Sequence, residues 1–367
     1  PVTGDETASF KGREVVFVEE GGFKSNNYVS HSRLVKAIID QYVDKFNEDR
    51  EVIPGLVNVF ASIPYQGGFI VLRPTGNVAD KNVLVNSDGS ISENYKTWRP
   101  SLEKMIEENL KKIKEELGDQ PIPITYHELI RNSDACYKAT SQVIDLAKKH
   151  GTRLHVLHLT TAKEMALFNT KPMAEKKITA ETCVGYLWFD DQDYERLGAK
   201  IKCNPSIKKE KSRVNLLKAV ESGIIDTVAT DHAPHLLSEK EGDCLTAVSG
   251  YPSIQHSLQM MLELAKKGNF TREQVVEKMC HNPARLFNVE KRGFIRKGYF
   301  ADLVLVEPNN PVTVTKESVL YKCGWSPMEG EKLNYKISKT FVNGNIVYDE
   351  GNIKGETKGK LLTFNRE

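Results

Sequence analysis

Between residues 100 and 280 the sequence alternates short β-type runs with helical stripes, and this alternation constrains the fold more than any other feature. Strands are predicted at residues 153–159, 179–188, 200–203 and 226–230. Helices are predicted at residues 101–117, 133–150, 162–168, 212–221, 253–266 and 271–278, and the second of them is predicted to be capped by Ser133 and ended by Gly151. Strands spaced by about 20–27 residues, with helices between them, are typical of βαβ units and a parallel sheet. Because no Gly-rich phosphate loop occurs, this pattern favours a (β/α)8 TIM-like barrel over an open sheet.

The two ends of the chain differ from this regular middle part. Residues 1–99 contain one amphipathic helical pattern, at 33–46, between β-like runs and loops rich in Asn, Ser and Gly. Strands are predicted at 299–306 and 339–348, the latter with Asn343-Gly344 as a hairpin turn. We therefore predict an α/β protein with two domains. Residues 1–300 form the barrel, of which 1–99 are diverged or partial, and residues 301–367 form a small β module and a C-terminal tail.

Charge and cysteine content limit the classes of function. The formal net charge is +2, which argues against a nucleic-acid-binding surface and a polybasic membrane surface. The six cysteines form no CxxC pair, so a zinc knuckle is not predicted and reduced thiols are expected. The first residues lack the charged and apolar regions of a signal peptide, and the missing initiator Met indicates a trimmed or partial chain. A cytoplasmic protein is expected.

Polar side chains cluster where the predicted strands end. His158 ends the first run, Asn204 follows the third, and Thr230-Asp231-His232-Ala-Pro-His235 ends the fourth. Catalytic groups of a parallel barrel lie at the carboxyl ends of its strands, and a carboxylate beside two imidazoles can bind a metal or shuttle protons. Taken alone, His158 could be a structural residue at the rim of the barrel, and Asn204 could belong to a simple turn. The polar run after residue 229 indicates a functional site. Three further residues are expected only to pack in the core: His155, Cys183 and Cys203.

The heptad Ala229-Thr-Asp-His-Ala-Pro-His235 resembles the dihydroorotases of the amidohydrolase superfamily. Further segments resemble the same family in the same order: Leu154-His-Val-Leu-His-Leu-Thr-Thr161, Lys202-Cys-Asn-Pro205, Ser249-Gly-Tyr-Pro252, His281-Asn-Pro-Ala284 and Gly293-Phe-Ile-Arg-Lys-Gly-Tyr-Phe-Ala-Asp-Leu-Val-Leu-Val306. The resemblance covers residues 100–367 and is faint before them. It implies a cyclic amidohydrolase that reversibly hydrolyses dihydroorotate to N-carbamoyl-aspartate, a step of pyrimidine biosynthesis.

The resemblance also implies roles for individual residues. His158 and Asp231 correspond to ligands of a pair of zinc ions, and Asp231 is also the catalytic general acid and base. The implied substrate-binding residues are Asn204, His235, Ser249 and Gly250. The implied partner is a small molecule, dihydroorotate or carbamoyl-aspartate, rather than a nucleic acid or a membrane, and a homo-oligomer is left open.

The metal site departs from the pattern of the family it resembles. Family members carry a His-x-His pair on the first strand, but no two of the nine histidines here are two residues apart. Only His158 and Asp231 match among about six expected site residues, so zinc binding should be weak or limited to one ion. Two alternatives follow: a catalytically inactive homologue that acts as a scaffold or partner subunit, and a hydantoinase-like cyclic amidase. Retention of Asn204, His235 and Ser249-Gly250 favours dihydroorotate over hydantoins.

Overall fold

The structure, a computed structural model, describes residues 93–355 and 357–365, with side chains from Lys104 onward, and four short strands before them. Those strands pair antiparallel as β1 (Glu6–Phe10) with β2 (Arg13–Phe17), and β3 (Pro64–Tyr65) with β4 (Gly68–Phe69). The helix predicted at 33–46 lies outside the described residues. By their contacts, residues 1–105 and 106–367 form two compact units. The candidate site lies in the second.

A parallel sheet of three strands lies within the second unit. Its strands are β5 (Leu154–Val156), β6 (Ile178–Cys183) and β7 (Thr227–Ala229), in that spatial order. Residues 154–156 pair with 178–180, and residues 181–183 pair with 227–229. The central strand β6 is mostly buried, as expected for a parallel strand that is covered on both faces. The predicted parallel pairing is confirmed for these three strands, whereas 3-10 turns, rather than the predicted helix, connect β5 to β6.

Nine helices accompany the strands in the described part of the chain. They are α1 (Glu93–Leu117), α2 (His127–Ile130), α3 (Ser133–His150), α4 (Val184–Trp188), α5 (Asp193–Leu197), α6 (Glu210–Glu221), α7 (Ser257–Lys266), α8 (Arg272–Val276) and α9 (Asn282–Leu286). The predicted helix at 162–168 is a 3-10 turn over Lys163–Leu167. The helix predicted at 271–278 is α8, which already ends at Val276 and is followed by a π-type turn over Glu277–His281.

The ends of α3 follow from local hydrogen bonding. Asn132, rather than the next residue Ser133, caps the helix, because its Oδ1 accepts a 3.0 Å hydrogen bond from the Ala135 amide. Gly151 ends the helix, as predicted, with a left-handed φ of 64° that a residue without a side chain adopts at little cost.

Two predicted strands are corrected by the structure. The strand predicted at 179–188 ends at Cys183, and its second half is the helix α4. Its apolar residues are buried in either conformation, so their pattern does not separate a short strand from a helix. The strand predicted at 200–203 is replaced by a 3-10 turn over Gly198–Ile201, and the Lys202 amide donates to the Ala199 carbonyl at 3.0 Å. Asn204 therefore does not end a strand, contrary to the prediction.

The C-terminal strands form a separate antiparallel sheet. Its order is β11 (Asn352–Ile353), β10 (Asn345–Asp349), β9 (Lys332–Val342) and β8 (Leu303–Thr313). The hairpin turn at Asn343-Gly344 is confirmed: both residues have positive φ, 52° and 86°, as a tight turn between twisted strands requires. That residues 301–367 form a domain of their own stays a prediction.

One hydrophobic cluster connects the parallel sheet, the helices around it and the C-terminal sheet. Its fully buried members include Ala180, Leu187, Leu216, Val220, Ile225, Met261 and Leu333. Leu333 belongs to β9. Two residues further along the same strand, the Tyr335 carbonyl accepts a 2.6 Å hydrogen bond from the side-chain amide of Gln259 on α7. Among the helices that the structure describes, none is both long and apolar enough to span a bilayer.

Candidate functional site

The carboxyl ends of β5 and β7 carry His158 and Asp231. Both residues have a left-handed backbone, with φ of 45° and 47°, which is uncommon for residues with a Cβ and occurs often at functional positions. The chain beyond β5 stays joined to β6, since the Leu159 amide donates to the Glu181 carbonyl at 2.8 Å. The His158 imidazole is close enough to lower the pKa of Asp231. The structure therefore brings the two predicted metal ligands to one edge of the sheet.

The Asp231 carboxyl ionises less readily than an ordinary aspartate. Burial among protein atoms raises its pKa, and repulsion by Glu181 raises it further, while His158 opposes both effects. Asp231 nevertheless keeps an exposed surface, so a ligand can reach it. A carboxyl group of this kind, with a raised pKa and an open face, can accept a proton and return it.

A polar network lies within the sheet beside this edge. His155 Nδ1 is 2.9 Å from the Thr179 hydroxyl, and its Nε2 is 3.4 Å from a carboxylate oxygen of Glu181. The Thr227 hydroxyl donates to the same Glu181 oxygen at 3.1 Å. His155 packs edge-on against Phe287, as predicted, but it also orients this carboxylate. Sequence reasoning missed Glu181, although a charged residue in a predicted buried strand was a usable signal.

Asn204 lies beside a buried histidine in a cationic environment. Its Oδ1 is buried and makes no regular hydrogen bond to a described atom, beyond a weak interaction with His127. Burial lowers the pKa of His127 to about 2 and keeps the imidazole neutral. Three cations contribute to this shift: Lys202, Arg131 and Lys208. A buried acceptor without a regular partner is the type of group that an N–H of a bound ligand can satisfy.

The turn at Ser249-Gly250 packs directly against His235. Gly250 has a φ of 117°, and a side chain there would meet the Ala233 carbonyl at 2.8 Å and His235 Cδ2 at 3.1 Å. Its amide donates to the Lys202 carbonyl at 2.8 Å, two residues before Asn204. Ser249 is half-buried in the same turn. The three segments that carry the four predicted substrate residues therefore adjoin one another.

The two histidines after Asp231 have different surroundings. His232 Nδ1 accepts a 3.0 Å hydrogen bond from the Ser253 amide, and its ring lies 5.2 Å from that of Tyr321. The His235 carbonyl accepts a 2.8 Å hydrogen bond from the Trp325 indole, and its half-exposed imidazole has Nδ1 3.7 Å from a carboxylate oxygen of Glu239. His232 is therefore used in packing, and His235 remains accessible. The supporting rings of Tyr321 and Trp325 had no sequence signal, because they come from the distant segment before β9.

The described residues do not complete a metal site. Within residues 104–355 and 357–365, no three His, Cys, Asp or Glu side chains form a group that could hold a metal ion. A structural or catalytic zinc ion needs three or more protein ligands, and His158 and Asp231 are two. Burial raises the pKa of the Cys203 thiol to about 12 and that of the Cys183 thiol well above its usual value, so both are protonated in the protein without metal. This agrees with the prediction that both are core thiols.

Comparisons with known proteins match this arrangement. The sequence profile of the amidohydrolase family matches residues 100–347. A dihydroorotase of Pyrococcus furiosus is 30% identical over 225 residues, which are 61% of this chain and 52% of that protein. An allantoinase of Bacillus velezensis is 31% identical over 235 residues, 64% of this chain and 51% of that protein. The chain thus spans about half the length of these curated relatives.

Solved structures agree on the fold. The L-hydantoinase (dihydropyrimidinase) from Arthrobacter aurescens superimposes with a TM-score of 0.63 at 27% identity, over 68% of this chain and 56% of that one. A D-hydantoinase structure gives the same TM-score of 0.63 at 24% identity, over 71% of this chain and 57% of that one. These neighbours have the TIM-barrel fold, so the predicted fold class is confirmed. Metal binding is general in the matched family. The chain belongs to the amidohydrolase family.

Proposed function

We propose that this chain is a dihydroorotase-type cyclic amidohydrolase, which reversibly opens dihydroorotate to N-carbamoyl-aspartate. One observation carries the proposal: His158 and Asp231 lie together at the carboxyl edge of parallel strands, beside the segments of Asn204, His235 and Gly250. Dihydroorotases among the relatives support the choice of substrate. In pyrimidine synthesis the reaction runs toward ring closure.

Asp231 is proposed to carry the proton of the reaction. In the direction of hydrolysis, water adds to the ring carbonyl, the C–N bond breaks, and the departing nitrogen needs a proton. The Asp231 carboxyl takes the proton from the water and delivers it to that nitrogen, so no net proton remains on the enzyme. Its raised pKa and its open face suit this exchange.

Four residues are proposed to bind the substrate. The buried Oδ1 of Asn204 is suited to accept a hydrogen bond from a ring N–H. His235 presents a half-exposed imidazole suited to a carboxylate, and Ser249 and Gly250 form the turn beside it. Such a set of hydrogen-bonding groups suits a substrate that combines an amide ring with a single carboxylate.

Zinc belongs to the proposal as the metal that polarises the amide carbonyl and activates water when bound. His158 and Asp231 would supply two of its ligands. Since the described residues do not complete a site, we infer weak binding, and activity should depend on zinc in the assay.

Two other functions have specific support. The allantoinase relative and the hydantoinase structures favour a hydantoinase-like cyclic amidase. An inactive homologue that serves as a scaffold or partner subunit is supported by the finding that the described residues from Lys104 onward do not complete a metal site.

The test is a coupled set of assays on purified protein with added zinc. Cyclisation of carbamoyl-aspartate, together with hydrolysis of dihydroorotate, is expected for a dihydroorotase. Turnover of hydantoin or allantoin without dihydroorotate would instead select the hydantoinase-like function. No turnover of any cyclic amide, at any zinc concentration, would select the inactive homologue.

The remaining proposals concern the environment of the protein. All six cysteines are free thiols, which suits a reducing compartment, and we propose the cytoplasm. The small net charge supports a small-molecule substrate rather than nucleic acid or a membrane. A homo-oligomer is compatible with this arrangement.

A further inference from the structure

Lys240 is a buried cation at the end of a 3-10 turn over Leu237–Lys240. Only 5% of its surface is exposed. Its ammonium donates three hydrogen bonds, which uses all of its protons. The acceptors are the carbonyl oxygens of Lys202 at 3.3 Å, Val248 at 2.5 Å and Gly250 at 2.7 Å.

These three carbonyls belong to two segments that are far apart in sequence. Lys202 lies two residues before Asn204, whereas Val248 and Gly250 flank Ser249. All three proposed substrate residues in these segments therefore lie within two residues of a carbonyl that Lys240 holds.

The two segments are also joined to each other directly. The Gly250 amide donates to the same Lys202 carbonyl at 2.8 Å, and the Lys202 ammonium donates to the Ala247 carbonyl. On the other side, the Val248 amide donates to the Glu239 carbonyl at 3.0 Å. The result is a closed set of hydrogen bonds with the Lys240 ammonium at its centre.

The chemistry of this contact is that of a cation solvated by backbone dipoles. Burying an ammonium costs free energy unless its protons are satisfied, and here neutral carbonyls satisfy them. Because the cost of burial offsets much of the gain from these hydrogen bonds, we expect the contact chiefly to order the chain that provides the oxygens. Gly250 in turn packs against His235 Cδ2, so the order extends to a third substrate segment.

We propose that Lys240 is a positioning residue that joins the Asn204 segment to the Ser249-Gly250 turn and so sets the geometry in which substrate binds. The inference rests on the proposed function for its kinetic consequence. The joining of the two segments does not depend on turnover and is testable without it.

The variant Lys240→Met removes the donors and keeps an apolar chain of similar length. The matched control is Lys176→Met. Lys176 is equally buried and also holds backbone carbonyls, those of Gly223 and Ile224, but it pairs with Asp226 before β7, at the other end of the strands. Both variants lose a buried ammonium, and only one lies beside the proposed substrate segments.

The first measurement is backbone amide hydrogen exchange, which needs no activity. Lys240→Met is expected to speed amide exchange in residues 202–206 and 247–251 by at least about tenfold. In the wild type these segments open only if the hydrogen bonds to Lys240 break, and the variant lacks those bonds, so opening costs less free energy. Lys176→Met is expected to leave exchange in both segments unchanged. Equal exchange in the Lys240 variant and the wild type would overturn the inference.

The second measurement separates positioning from mere stability. For dihydroorotate, Lys240→Met should raise KM by about tenfold or more with a smaller change in kcat, as loss of substrate-binding geometry predicts. Lys176→Met should lower the melting temperature and leave KM unchanged, and Lys240→Arg, which keeps charge and donors, should restore part of the affinity. An inactive wild type would overturn the proposed function alone, whereas an active wild type with an unchanged KM in Lys240→Met would overturn this inference alone.

Discussion

His158 and Asp231 share a left-handed backbone conformation, with φ of 45° and 47°, at the ends of the two strands that flank β6. Such a backbone turns the chain sharply after the strand and costs of order 1–3 kcal/mol at a residue with a side chain. Two such residues on either side of one central strand indicate that their side chains are held in place for a task.

Asp231→Asn should lower kcat in the presence of zinc by at least about a hundredfold, because the amide cannot carry the proton to the leaving nitrogen. Without zinc the residual rate should change little. The control is Asp145→Asn, an exposed aspartate on α3, which should behave as the wild type. Steady-state kinetics of dihydroorotate hydrolysis decide the matter. Retained zinc-supported activity in Asp231→Asn would remove Asp231 from the mechanism.

The zinc content of the protein should be low when it is isolated without chelator. Because the described residues provide only His158 and Asp231, we expect fewer than two zinc ions per chain, and activity that rises with added zinc. Elemental analysis and a zinc titration of the rate measure both. A stoichiometric, tightly held pair of ions would show that the chain holds zinc through more ligands than His158 and Asp231.

Gly250→Ala should weaken both folding and substrate binding. A Cβ at this position would meet the Ala233 carbonyl at 2.8 Å, and the φ of 117° is unfavourable for alanine, so unfolding should be easier by about 1–3 kcal/mol. Gly268→Ala is the control, since Gly268 also has a positive φ, 84°, but open space around it. Chemical denaturation compares the two, and only Gly250→Ala should raise the KM for dihydroorotate. Equal KM values would separate this turn from the substrate.

Acid should destabilise the protein through His127. Its folded-state pKa of about 2 lies below the ordinary value of 6.5, so the unfolded chain binds the proton first as the pH falls. The stability that the neutral imidazole provides is complete above pH 6.5 and is lost progressively below it, at up to about 1.4 kcal/mol per pH unit. His127→Gln should therefore flatten the stability profile between pH 6.5 and pH 5, measured by denaturation.

A second histidine serves as a comparison for this profile. Burial lowers the pKa of His256 to about 4. The wild type should therefore also lose folding stability through this histidine as the pH falls from 6.5 to about 4, and His256→Gln should remove that loss. The double variant should be flatter than either single one. A profile of His127→Gln that falls as steeply as that of the wild type would contradict the neutral state of this imidazole.

The sequence predicted the parts of the fold that depend on local patterns. The β-type runs at 153–159, 179–188 and 226–230 predicted all three parallel strands, the second with its end too late. Gly151 and Asn343-Gly344 predicted a helix end and a turn. The strand predicted over Val184–Trp188 was wrong, because a short apolar run can be buried equally well as a strand or as a helix. Asn204 was predicted to follow a strand, but the residues before it form a turn. Its segment still adjoins Gly250, because the Gly250 amide donates a hydrogen bond to the Lys202 carbonyl.

The supporting groups of the site were beyond local patterns. Lys240 stands between two glutamates and reads as part of a solvated charged run, but tertiary contacts bury it. Tyr321 and Trp325 act on His232 and His235 across a wide separation in sequence. Glu181 was the exception, since its charge within a β-type run was visible and was not used.

The hydrophobic cluster shared by α7 and β9 has a consequence for the order in which the chain can fold during synthesis. Leu333 and Tyr335 are buried against α7, and 76 residues separate Tyr335 from its hydrogen-bond partner Gln259, so α7 leaves the ribosome well before β9. Until then the nascent barrel exposes an apolar face, which is a target for chaperones and for association with other chains. A chain stalled shortly before residue 333 should therefore remain bound to chaperones, whereas release of β9 closes that face.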